Sequence, residues 1–291
     1  MKKVLIRFLF VALAATCTAQ VRSRPVPPSE KTPESCVQMQ DGGFHSPSLD
    51  REMKYRILLP CSYQTGSERF PVLYLLHGLY GDYLNWDTHT ELERYAEKYE
   101  VLVVMPDAGD SWYTNSATNP KDRFEDYIAK DLVAEIDRKF RTLRSRDARA
   151  IAGLSMGGYG ALKIALRYPK DFAFAGSLSG ALNAPQDLAD RQPAFRDQLL
   201  KVFGSAGSTT RADNNVFSML KSAGANDLPY FYLACGSADS FLPVNRDFAA
   251  QLSARGALYE YHETAGGHAW DYWDRSVQDL LRAAAGVLSK S

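Results

Sequence analysis

Four cysteines among 291 residues, no two of them spaced C-x-x-C, exclude a zinc ribbon and a redox dithiol. Also missing are H-E-x-x-H, an EF-hand ligand run, a glycine loop followed by Lys-Ser or Lys-Thr, and the G-x-G-x-x-G spacing of dinucleotide folds. No metal and no cofactor is therefore implied. Charge of one sign is lacking too. The 34 Lys and Arg face 34 Asp and Glu, so nothing points to nucleic acid or an anionic membrane as partner. The N-terminal apolar run is too short to span a bilayer. No internal repeat is visible, and a chain 45% apolar and 12% aromatic has nothing of a disordered or collagenous composition.

What the N-terminus does hold is the pattern of an export signal. Lys2, Lys3 and Arg7 supply its basic character, Val4 to Ala15 is largely apolar, and small residues follow up to Ala19. Cleavage is expected after Ala19, leaving a secreted or periplasmic chain of net charge −3 without a membrane anchor. An uncleaved anchor is the alternative, while Thr16 argues against a lipid on Cys17. Residues 20–35, with Pro25, Pro27, Pro28 and Pro33, read as a linker. Export permits disulfides. Cys36 and Cys61 flank a strand–turn–strand unit and are candidates to pair, whereas Cys235 reads as a buried small hydrophobe.

From Cys36 to residue 291 the pattern fits one domain. Strands at about 36–43 and 53–60 surround a Gly/Ser/Pro turn, so they should pair antiparallel. Continuous apolar runs at 70–77, 101–105, 148–154, 172–178 and 229–235, with a further strand at 258–263, read as mostly parallel strands. Helices are expected from the Thr88-x-x-Glu91 capping box to Tyr99, over 124–140, to Tyr168 after the third run, over 243–254 and over 270–288. Alternating strands and helices predict an α/β fold: a mostly parallel sheet, an N-terminal antiparallel hairpin and helices on both faces. Residues 181–228 break that rhythm and should arch over one sheet edge as a small cap. They lack a long apolar amphipathic helix, which argues against interfacial action on long-chain fat.

Chemistry concentrates at the carboxyl ends of these strands, where such sheets bind ligands. Gly153-Leu154-Ser155-Met156-Gly157 has the small residues that let a strand turn sharply into a helix and present Ser155. The pattern alone arises by chance in roughly one chain in ten of this length, so context decides. Asp239 follows the apolar strand 230–235; by itself it could equally cap the next helix. His268, after Gly266-Gly267, sits on a loop where a core histidine is rare. The order Ser155, Asp239, His268 is that of nucleophile, acid and base in α/β-hydrolases. His262 is the rival base, but strand pleating fixes its direction, and His45 and His89 precede the serine. His77-Gly78-Leu79-Tyr80-Gly81 supplies a loop whose Leu79 N–H could join that of Met156 around an oxyanion, with His77 tying the loop down. Trp112, Tyr113, Trp86 and Trp270 are candidates for the substrate pocket, although Trp86 and Trp270 could equally be packing under a loop.

The segments Leu75-Leu76-His77-Gly78-Leu79, Gly153 to Ala161 and Gly266-Gly267-His268-x-Trp270 resemble an esterase family of the α/β-hydrolase superfamily. It includes esterase D and S-formylglutathione hydrolases, tributyrin, feruloyl and acetylxylan esterases, and the antigen-85 mycolyltransferases. The resemblance covers nearly all of residues 36–285 and implies the same roles for Ser155, Asp239, His268, Leu79 and Met156. One departure is Tyr80-Gly81, where the glutathione-thioester branch typically carries Thr-Cys. The expected function is a secreted serine esterase acting through an acyl-enzyme on short-chain, aryl or carbohydrate-linked esters. Acyl transfer or thioester hydrolysis on the same triad, and a non-catalytic extracellular binding module, are the alternatives.

Overall fold

The computed structural model describes residues 35–186 and 193–289; the expected signal and nearly all of the linker lie outside them. Eight strands form one sheet in the order β1-β2-β4-β3-β5-β6-β7-β8. β1 (Gln38–Ser46) and β2 (Arg51–Leu59) make the antiparallel hairpin, in register from Gln38 opposite Leu59 to Ser46 opposite Arg51. β2 then runs antiparallel to β4 (Leu102–Pro106). From there the sheet is parallel: β4, β3 (Val72–Leu76), β5 (Arg149–Leu154), β6 (Phe174–Leu178), β7 (Tyr230–Gly236) and β8 (Tyr259–Thr264).

β3, β4, β5 and β6 are buried at every position, as their unbroken apolar runs require. Pleating divides them between two cores. Tyr74 and Ile151 pack on one face, while Leu73, Ala150, Ala152 and Leu154 pack on the other with helix α10 (Trp270–Val287). The disulfide Cys36–Cys61 closes the base of the hairpin, and Cys235 is buried and free.

One expectation changes. The capping-box helix does not form as one piece; α1 (Asn85–His89) and α2 (Leu92–Ala96) are separated by an extended Thr90. Thr88 lies inside α1, where its hydroxyl donates to the Leu84 carbonyl four residues back instead of capping. The expected helix at 124–140 does form, as α3 (Phe124–Asp126), a π-type stretch (Tyr127–Leu132) and α4 (Val133–Lys139).

After β5 comes α5 (Met156–Arg167), and after β6 the excursion holds α6 (Pro193–Phe203), α7 (Thr209–Asp213) and α8 (Val216–Ser222). Leu199, Phe203, Val216 and Leu220 of this excursion are fully buried in the core that holds Tyr74 and Ile151. The described part of the excursion is thus built into the domain and does not rest on it as a loose flap. α9 (Leu242–Ala254) and α10 complete the chain's helices among the described residues.

Candidate active site

Ser155 is the hinge between β5 and α5. Its φ of 52° lies in the left-handed region, which costs a non-glycine residue on the order of 1–3 kcal/mol and persists only where the surroundings enforce it. Here they do. The Ser155 N–H donates to the Leu178 carbonyl (2.8 Å), and the Ser155 carbonyl accepts from the N–H groups of Tyr159 (3.0 Å) and Ala181 (3.2 Å). The flanking glycines explain the motif spacing. A methyl on Gly153 would come within 2.6 Å of the Gly157 backbone, and one on Gly157 within 2.5 Å of the Leu76 and His77 carbonyls. Strand, helix and the loop after β3 meet with no room for a side chain.

His268 reaches Ser155 from the β8–α10 loop, its Nε2 lying 2.9 Å from the hydroxyl oxygen. Its Nδ1 lies 2.9 Å from Asp239 Oδ2. The approach depends on close contact between the loops that follow β7 and β8: a Cβ on Gly236 would stand 2.4 Å from the Gly266 carbonyl, and the Ala238 N–H donates to that same carbonyl. Asp239 faces the imidazole, and it stands two residues before Phe241, the N-cap of α9, so it bonds the chain entering that helix rather than capping it. One oxygen meets the imidazole, and the other accepts the Phe241 N–H (2.8 Å) at the start of α9. Burial works to raise its carboxyl; the bonds from His268 and Phe241 outweigh it and hold the group below the usual carboxylate range. It is therefore ionised at neutral pH, where it can orient an imidazole and stabilise an imidazolium.

The N–H of Met156 opens α5, where the positive end of the helix dipole favours a developing anion. The loop carrying Leu79 is pinned by His77, which is buried. His77 Nε2 accepts the Ala108 N–H (3.1 Å), so its other nitrogen carries the proton and donates to the Gly78 carbonyl (2.7 Å). Burial pushes the His77 pKa down and so favours the neutral ring, while the bonds to Ala108 and Gly78 select this tautomer.

A cleft of about 450 Å3 opens over Ser155, walled by Leu79, Trp112, Phe195, Phe241, Trp270 and Trp273. Of the four expected pocket residues, Trp112 and Trp270 line it. Trp86 and Tyr113 do not. Trp86 is buried behind the wall, its indole N–H donating to the Leu76 carbonyl and its ring set edge-on against Trp270. Tyr113 turns inward and donates its hydroxyl to the His77 carbonyl. Phe195, Phe241 and Trp273 were not foreseen. Trp273 lies one helical turn from Trp270, a spacing that could have revealed it; Phe195 belongs to the excursion, whose path no local pattern sets. His262 pairs with Glu260 on β8 and lines no part of the cleft, while His89 stacks on Trp270 at its mouth.

Comparison with known proteins places this geometry among relatives. The Esterase family matches residues 46–284. An acetyl esterase of Caldicellulosiruptor saccharolyticus is 30% identical over 223 residues, covering 74% of this chain and 83% of the relative. The diacylglycerol acyltransferase/mycolyltransferase Ag85A of Mycobacterium tuberculosis is 27% identical, covering 96% and 88%. Among solved structures, the fluorophosphonate-binding serine hydrolase FphF of Staphylococcus aureus superposes with a TM-score of 0.75 at 27% identity, over 86% of this chain and 98% of its own. With its eight-stranded, mostly parallel sheet and antiparallel N-terminal hairpin, the chain belongs to the Esterase family and is a serine ester hydrolase of the α/β-hydrolase fold.

Proposed function

We propose that this esterase hydrolyses short-chain and aryl esters through an acyl-enzyme on Ser155, as an exported single domain spanning residues 36–291. The observation that carries the reading is the unbroken line of two 2.9 Å contacts from Ser155 through His268 to Asp239. His268 takes the hydroxyl proton as Ser155 attacks the acyl carbon, and Asp239 holds the ring and stabilises its charged form. The N–H groups of Leu79 and Met156 receive the oxyanion. His268 then gives its proton to the departing alcohol, and water, with His268 again as base, releases the acid.

The cleft favours small acyl groups, because about 450 Å3 walled largely by aromatic rings has no room for a long flexible chain alongside the alcohol. A second groove, of about 430 Å3, shares the 110–114 loop and α6 with it. Its wall of Ser111, Ser116, Thr118, Asn119 and Gln198 beside Phe124 suits a hydroxylated alcohol, so carbohydrate-linked esters fall within the proposed range.

Ester hydrolysis is tested with a p-nitrophenyl ester series of increasing chain length and with labelling by a fluorophosphonate. Acetate and butyrate should turn over fastest, and Ser155→Ala should abolish both labelling and turnover. Labelling that survives in Ser155→Ala would overturn the assignment.

A further inference from the structure

Lys163, on the third turn of α5, is completely buried, and the proposed reaction makes no use of it. Its three ammonium protons are all committed: to Glu125 Oε2 (2.8 Å), to the Tyr113 carbonyl (2.7 Å) and to the Thr114 hydroxyl (2.8 Å). Glu125 is also faced by Arg167, 3.4 Å from its other oxygen. A buried lysine of this kind is costly to keep, and the segment it grips is strained. Trp112 and Tyr113 stand in succession at φ values of 55° and 51°, both in the left-handed region that side chains disfavour. Both carbonyls of that strained pair are held, Tyr113's by Lys163 and Trp112's by the Thr114 hydroxyl that Lys163 itself meets (2.8 Å).

The consequence lies in where this conformation aims the two rings. Trp112 is sent into the cleft wall. Tyr113 is sent the other way, its ring so close to α5 that a Cβ on Gly160 would stand 2.5 Å from it. Its hydroxyl donates to the His77 carbonyl at 2.9 Å. That carbonyl belongs to the peptide leading into Gly78-Leu79. α5 therefore carries Met156 N–H at its start and, through Lys163 and Tyr113, also holds the loop that carries Leu79 N–H. One rigid helix sets the distance between two donors on different loops.

We infer that Tyr113, locked by Lys163, is a positioning residue that fixes the Leu79 donor against the Met156 donor, and so acts on the transition state more than on substrate binding. The inference rests on the assignment of Ser155 and the two N–H groups made above.

The experiment uses Tyr113→Phe, which removes only the hydroxyl, and the double variant Lys163→Met with Glu125→Gln, which leaves no unpaired buried charge. Each is assayed with p-nitrophenyl acetate and with a trifluoromethyl ketone that adds to Ser155 as a tetrahedral mimic. In Tyr113→Phe, kcat should fall roughly tenfold and the ketone's inhibition constant rise by a similar factor, while KM moves less than about twofold. The double variant should shift the same two quantities. A folded Tyr113→Phe with kcat and ketone affinity within twofold of wild type overturns the inference. So does a rise in KM alone, or a variant that fails to fold, because the hydroxyl would then serve wall packing or the fold. Fluorophosphonate labelling of the wild type separates this failure from the broader one: labelling at Ser155 with an unaffected Tyr113→Phe sinks only the positioning role.

Discussion

Replacing Gly157 by alanine is the sharpest single test of how the site is built. Inside a helix this change ordinarily stabilises by about 1 kcal/mol, because alanine gives up less backbone freedom than glycine. Here the new methyl would stand 2.5 Å from both the Leu76 and the His77 carbonyl oxygens, about 0.9 Å inside ordinary contact. Neither oxygen is the end of a flexible side chain, so relief must come from moving α5 away from the loop after β3. Overpacking of that kind costs about 1–3 kcal/mol, and the sign of the helix-propensity effect is reversed. In a domain of this size the melting temperature should fall by about 3–10 °C. The larger effect is on activity. The same displacement separates Met156 N–H, adjacent to the mutated residue, from Leu79 N–H, two residues past His77, and a shift near 1 Å in reacting geometry can cost about a hundredfold. The assay is kcat/KM on p-nitrophenyl acetate beside a thermal melt. Gly286→Ala is the control: it lies in α10 with nothing within 4 Å of the new methyl, and it should show the ordinary stabilising sign. Wild-type kcat/KM in folded Gly157→Ala would refute the claim that this close approach sets the oxyanion geometry.

Asp239→Asn should leave the fold intact and lower kcat by about four orders of magnitude, since the neutral amide can hold His268 in the wrong tautomer; a loss under tenfold would remove Asp239 from the proposed triad. Reduction of Cys36–Cys61, or the double serine variant, reopens a loop of sequence separation 25 and should cost about 3–4 kcal/mol, read as a lower denaturant midpoint with unchanged kcat at 25 °C. His77 has a folded-state pKa lowered by burial, so the unfolded chain binds its proton more readily. Its contribution to stability is thus fully present above the unfolded value of about 6.5 and is lost as the pH falls through the lower folded one. Denaturant midpoints between pH 7.5 and pH 5 should fall more steeply in the wild type than in His77→Asn, and parallel curves would contradict this.

Much of the architecture could be read in the sequence because it is written in local, repetitive physics. Strands buried on both faces must be apolar throughout, so Phe70 to His77 and Val101 to Met105 announced themselves. A turn that brings strand and helix backbones into contact must be flanked by glycine, so Ser155 stood out. Asp239 and His268 could be placed because each follows an apolar strand, and the end of a parallel strand leads to the ligand-binding edge. The helix expected from Thr88 did not form as one piece, for the capping pattern says nothing of the tertiary contacts around Thr90. The aromatic residues divided for a similar reason. Nothing near Trp112 and Tyr113 in the chain distinguishes two adjacent rings, and only the left-handed backbone held by Lys163 turns one into the cleft and the other behind it. Residue type and spacing alone determined which chemistry the chain can carry and at which sheet edge. Which aromatics meet the substrate, and which buried lysine steadies them, was decided by the tertiary fold, because those choices depend on contacts between segments some fifty residues apart, such as Tyr113 and Lys163.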